Sequence, residues 1–282
     1  MNHQQEAINI LRRAGELEDN SIDLAETALA LAAADMPRAE FTPYRDHLAS
    51  LRDQLSAQGN PYRLDDRLRI LRRVLVVQHK YHGDEDNYDN LHNANLMKVI
   101  DRRCGLPVAL GIIYLHVAEA MGWPMTGLNF PGHFFVSLAA PDGRAILDPF
   151  RAGQTCQATD LHEFLPANRA EIDEEEDDDG VFNPDYYAPV SKRDVLLRLQ
   201  NNIKLRHLQH DRLDQAIGTL QTMILIAPKR FELWRELSFL HAERGNMHSA
   251  ITALEVVADL AGDVENLQQV ETMLEQLKWR LN

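Results

Sequence analysis

Within residues 104–150, CGLPVALGIIYLHVAEAMGWP…GLNFPGHFFVSL…AILDPF, a thiol (Cys104), an imidazole (His133) and a carboxylate (Asp148) follow one another. Side chains of these three types together can carry covalent acyl transfer. The thiolate attacks, the imidazole accepts and returns the proton, and the carboxylate fixes the ring. A helix N-terminus beside the sulfur would favour the thiolate, because the backbone dipole places partial positive charge there. Each residue also has a structural reading: a half-buried unreactive thiol, a histidine bonded to a neighbouring carboxylate, and an aspartate that caps the turn before Pro149. Other candidates are poorer. His79, His82 and His92 lie near Asp84, Glu85, Asp86 and Asp89, and His79 and His82 at i, i+3 would share a helix face, but no third ligand has zinc spacing. No phosphate loop, Gly-x-Ser-x-Gly elbow or dinucleotide fingerprint occurs, so neither metal nor cofactor is expected.

The elements that must position these groups follow from local patterns. Residues 107–121 are apolar nearly all round and predict a buried central helix, with Pro107 at its first position and Gly122 at its far end. Short strands are predicted over 125–129, 134–138 and 145–148, the last two joined as a hairpin through Pro141-Asp142-Gly143. A central helix on a small antiparallel sheet is an α+β domain. Ahead of it, 21–34 reads as a helix capped by Ser21. A second begins at Thr42-Pro43 and carries His47, Leu48, Leu51 and Leu55, and a third covers about 65–77. The polar run 82–93 predicts an irregular loop, and 96–103 another short helix.

The C-terminal third repeats itself. An offset of 34 residues aligns Ala216 with Ala250, Ile217 with Ile251, Leu220 with Leu254, Leu205 with Phe239 and Asp211 with Gly245, with Pro228 after the second helix. This is the tetratricopeptide period. Two units and a final helix over about 264–281 are few for a free solenoid, so the array is expected to pack on the preceding domain. The domain reading is therefore 1–190 and 191–282. Near the end of the first lies the acidic stretch EIDEEEDDD, 171–179, read as a solvated loop or as a strip for a basic partner. Hydrophobic residues at 45% and charged residues at 26% suit a folded chain, and a net charge of −14 argues against a nucleic-acid surface. Two cysteines cannot build a disulfide framework, and the N-terminus has no secretory pattern. A cytoplasmic protein without membrane association is expected.

The order of thiol, imidazole and carboxylate on helix, strand and strand resembles the transglutaminase-like branch of the papain-like fold. Residues 82–153 are similar to the bacterial SirB-type family, which couples such a core to C-terminal tetratricopeptide repeats. The matching residues are Asn93, Leu96, Arg102, Arg103, Gly105-Leu106-Pro107, Tyr114, Ala118, Pro131-Gly132-His133-Phe134, Leu147-Asp148-Pro149-Phe150 and Gly153. The resemblance implies a nucleophilic cysteine on the first turn of the central helix in active enzymes, and it places Pro107 at that position. The SirB-type branch is similar in carrying Gly-x-Pro there. Cys104 lies three residues earlier, and three residues of extended chain span up to about 10 Å, against the roughly 2.6–3.2 Å that catalytic contact needs. The resemblance therefore implies a catalytically degenerate scaffold. Its protein or peptide partner would sit in the repeat groove or the His133/Asp148 cleft, and its family name implies a link to regulation. The alternative is a cysteine-dependent acyl transferase or amide hydrolase using Cys104, His133 and Asp148.

Overall fold

The computed structural model describes residues 3–36, 38–161, 164 and 184–260, so the acidic stretch 171–179 and the helix expected over 264–281 lie outside the described residues. The chain opens with helices α1 (His3–Glu16), α2 (Leu24–Ala34), α3 (Thr42–Ser56) and α4 (Leu64–Leu71). The expected cap of α2 shifts by two residues. Asp23 accepts from the Glu26 backbone N–H at 3.0 Å, while Ser21 closes a separate 3-10 turn. The helix expected over 65–77 also changes type, because α4 passes into a π-helical segment, Arg72–Gln78. The chain then leaves the helix through Lys80, whose φ is 61°.

Two short strands, β1 (His82–Gly83) and β2 (Cys104–Gly105), pair in parallel around α5 (Leu96–Arg102). Sequence reading missed them, since two residues carry no alternation. Helix α6 (Pro107–Ala120) follows, with Leu106 as an extended N-cap and Pro107 at the first turn, where a missing N–H costs nothing. Its side chains are buried around most of its circumference, among them Val108, Leu110, Ile112, Ile113 and Val117. The sheet on its flank is an antiparallel meander of β3 (Met125–Gly127), β4 (Val136–Ala140), β5 (Gly143–Asp148) and β6 (Gln154–Cys156). Ala140 pairs with Gly143, so Pro141 and Asp142 form the expected hairpin turn. Gly111 lets helix and sheet approach closely: a Cβ there would stand 2.4 Å from the Phe134 ring.

After the short α7 (Ala158–Leu161), two helix pairs form the repeat region: α8 (Lys192–Gln209) with α9 (Leu213–Ile226), and α10 (Phe231–Glu243) with α11 (Met247–Leu260). Ala216 and Ala250, aligned by the offset on the second helix of each pair, have no solvent exposure. Asp211 and Gly245, aligned by the 34-residue offset, both take positive φ in the turn between paired helices. Helix α8 packs on α2 and α6, and α9 packs on α1. One continuous apolar core therefore runs from Ala7 to Ala253. Among the described residues, no helix is long and apolar enough to cross a membrane.

Candidate functional site

His133 stands in the turn between β3 and β4, after Pro131 and after Gly132 at φ 76°. Asp148 ends β5. The β4–β5 register pairs Val136 with Leu147, and extending it brings the His133 turn beside residues 148–150. The imidazole Nε2 donates to Asp148 Oδ1 at 2.9 Å, and the same oxygen accepts the Phe150 backbone N–H at 2.9 Å. Asp148 has no solvent exposure and His133 only 8%. Aromatic rings enclose the imidazole: Phe164 at 4.5 Å, Phe135 at 4.7 Å and Phe150 at 6.2 Å between centroids. A carboxylate only accepts, so Nε2 carries the proton and Nδ1 is the nitrogen left for other partners.

The turn is held from behind by the repeat region. Arg198 on α8 donates through Nη2 to the carbonyls of Phe130 at 2.9 Å and His133 at 2.5 Å, and its guanidinium lies over the Phe134 ring. Burial pulls the Arg198 pKa down. Sequence reading did not find this residue, because nothing local marks an arginine that serves a turn 65 residues away.

Cys104 is placed differently. It sits in β2 opposite His82, 9% exposed, and among the described residues its sulfur has no hydrogen bond to His133. Burial pushes its pKa up. Arg102 opposes that shift and Asp84 reinforces it. The residues around it form a separate polar network. Arg102 donates to Asp84 Oδ2 at 2.6 Å and to Asn93 Oδ1 at 2.7 Å, Asp84 Oδ1 accepts the Asn87 N–H, and Asn93 O accepts the Leu106 N–H. The run 82–93 is thus tied at several points to the residues that begin α6. It also reaches the other wall, since the Gly83 N–H donates to Phe150 O at 2.8 Å. A cleft of about 490 Å3 opens there, lined by His82, Asp84, Glu85, Asp86, Phe150 and Arg151 among others.

The histidines weighed as metal ligands are apart. The helix ends before His79, whose Nε2 pairs with Gln54 Oε1 at 2.8 Å, whereas His82 lies on β1 with Nδ1 on Gly83 O. The shared helix face expected for them does not form, because the π-helical segment stops at Gln78. Among the described residues, no group of three or more histidine, cysteine, aspartate or glutamate side chains could hold a metal ion.

Comparison with known proteins agrees with this architecture. Residues 42–201 match the model of the transglutaminase-like superfamily, and residues 203–275 match a tetratricopeptide repeat model. A UPF0162 protein of Xylella fastidiosa (strain Temecula1) is 27% identical over 262 residues, covering 93% of this chain and 92% of that protein. A UPF0162 protein of Vibrio cholerae is 24% identical over 227 residues, covering 79% and 81%. A shorter stretch of 77 residues is 36% identical to F-box only protein 21 of Mus musculus, covering 27% of this chain and 12% of that protein. With a buried central helix, a flanking antiparallel meander and a family match over more than half its length, this chain belongs to the transglutaminase-like superfamily, followed by a tetratricopeptide repeat region.

Proposed function

We propose that this protein is a catalytically degenerate transglutaminase-like protein of the SirB-type branch, located in the cytoplasm, that works by binding a protein or peptide and serves a regulatory role. The observation that carries the reading is Pro107, buried at the first turn of α6, the position where the resemblance puts the nucleophile. Proline has no nucleophilic atom. The nearest thiol, Cys104, belongs to β2, and its burial disfavours the thiolate that attack requires. His133 and Asp148 then act as a bonded structural pair, and the same carboxylate holds the backbone N–H of Phe150 in the cleft wall.

The repeat region supports binding. Leu205 and Phe239, aligned by the 34-residue offset on α8 and α10, are 47% and 64% exposed. Apolar side chains held in solvent at the same place in both units are what a helical docking face presents.

Alkylation and capture together test the reading, both on the full chain. With Cys156 replaced by Ser, Cys104 reacts with iodoacetamide only in the alkaline range, above the pKa of about 8.5 of a free thiol, and His133→Ala leaves the profile unchanged. Fast labelling well below pH 7 that vanishes in His133→Ala would establish the acyl-transfer alternative with Cys104, His133 and Asp148. A partner retained by the chain is lost from the Leu205→Glu/Phe239→Glu variant. Equal retention by both removes the repeat face from the proposal.

A further inference from the structure

Behind the His133–Asp148 pair, two buried oxygens have complementary needs. Asp148 Oδ1 already accepts two hydrogen bonds, but among the described residues Oδ2 has no partner. Tyr114 Oη, two turns along α6 from Pro107, has none either, and its residue is 2% exposed. Both adjoin the turn of chain from Asp148 to Gly153. Gly153 closes it by donating its N–H to Asp148 O at 2.8 Å, and a Cβ on Gly153 would stand 2.6 Å from Tyr114 Oη. At φ +65°, glycine is also the residue this turn favours. The charge of Asp148 reaches the phenol and, after burial itself, pushes its pKa up, with Arg72 opposing.

The other buried side-chain atoms without partners among the described residues are single ring nitrogens of His116, His207 and His241. Among these atoms, the Tyr114 hydroxyl and the Asp148 carboxylate are a donor and an acceptor whose residues both meet Gly153. A buried carboxylate oxygen or hydroxyl left unpaired is costly, and a single small molecule with both lone pairs and protons satisfies the two at once. Their burial excludes anything larger.

We infer that Tyr114 Oη and Asp148 Oδ2 hold one water molecule between them, and that Tyr114 is thereby a positioning residue for the His133–Asp148 pair. The phenol donates to the water and the water donates to Oδ2. The carboxylate is then fixed on both oxygens, and the imidazole it holds is fixed with it. This inference rests on the observed pairing and not on whether the site is catalytic.

A high-resolution crystal structure of the full chain tests the site directly. A water within roughly 2.6–3.2 Å of both oxygens is the expected result. Direct contact between the two oxygens, or no density there, overturns it. Tyr114→Phe tests the positioning role while keeping the ring that packs in the core. The low-field proton resonance of His133 Nε2 should exchange with solvent about tenfold faster in this variant, the factor that corresponds to losing one hydrogen bond to a charged group. Unchanged exchange in a folded Tyr114→Phe protein overturns the positioning role. Should the variant not fold, the crystal structure alone decides.

Discussion

Arg102 links the two segments that lead into the cleft, and its partner Asp84 reports on how firmly. Burial alone would push the Asp84 carboxyl up, but hydrogen bonds from Arg102, the Asn87 backbone and Asn93, with the Arg102 charge, bring it below the usual 3.8. A carboxyl whose folded value is depressed contributes stability above its unfolded pKa, and that contribution is lost as pH falls through the folded one. Asp84→Asn keeps the shape and removes the charge. At pH 7 it should destabilise the chain by about 1–2 kcal/mol, and the gap to the unsubstituted protein should close below about pH 4. Urea denaturation at pH 7 and pH 3 measures both. An equal gap at the two pH values would show that the Asp84 charge contributes nothing.

At the scale of the element, α6 owes its role to its first turn. Leu106 caps it in an extended conformation without a side-chain hydrogen bond, and the Leu110 N–H closes the first turn on Leu106 O at 3.0 Å. The leading N–H groups of a helix have no intrahelical partner and favour a negative charge placed beside them. Proline uses none of this. Pro107→Cys, with Cys104 and Cys156 replaced by Ser, puts a thiol where that field acts. The new thiol should alkylate at pH 7 faster than a free cysteine, whose pKa is about 8.5, and slow when His133 is changed to Ala. The loss of the fixed proline φ should cost only about 0.4–1 kcal/mol. Ordinary thiol behaviour in this variant would mean that the head of α6 is not a nucleophile position.

Across the whole molecule, α8 joins what the sequence reading divided at residue 190. Arg193 donates to the carbonyls of Ala14 at 3.1 Å and Leu17 at 2.7 Å, and to Ile226 O. The Lys192 and Arg193 backbone N–H groups are accepted by the Asp19 carboxylate. Farther along, Arg198 holds the His133 turn, while Arg206 holds the loop opposite through Tyr88 O at 3.1 Å and Asp89 O at 3.0 Å. A chain ending at residue 190 would lose all of these bonds and uncover apolar faces of α2 and α6. It should show no cooperative thermal transition, whereas the full chain should melt in one. Circular dichroism on both measures this. A truncated chain with an unchanged melting temperature would show that α8 is not part of the core.

What could be read from the residues alone is what short-range forces decide. Proline with its fixed φ starts α6, a two-residue turn joins β4 to β5, and the 34-residue period sets the helix pairs and aligns Asp211 with Gly245 in their turns. The transglutaminase-like character was also legible, through motifs on either side of the buried helix. The tertiary structure alone decided which groups meet. It paired Cys104 with His82, bonded His133 to Asp148, set Arg198 behind that turn, and brought the Tyr114 hydroxyl against Gly153. These contacts join residues far apart in the chain, and their energy comes from burial that exists only once α6, the sheet and α8 have closed around them. No local pattern carries that information, because the dielectric and the partners are properties of the assembled core.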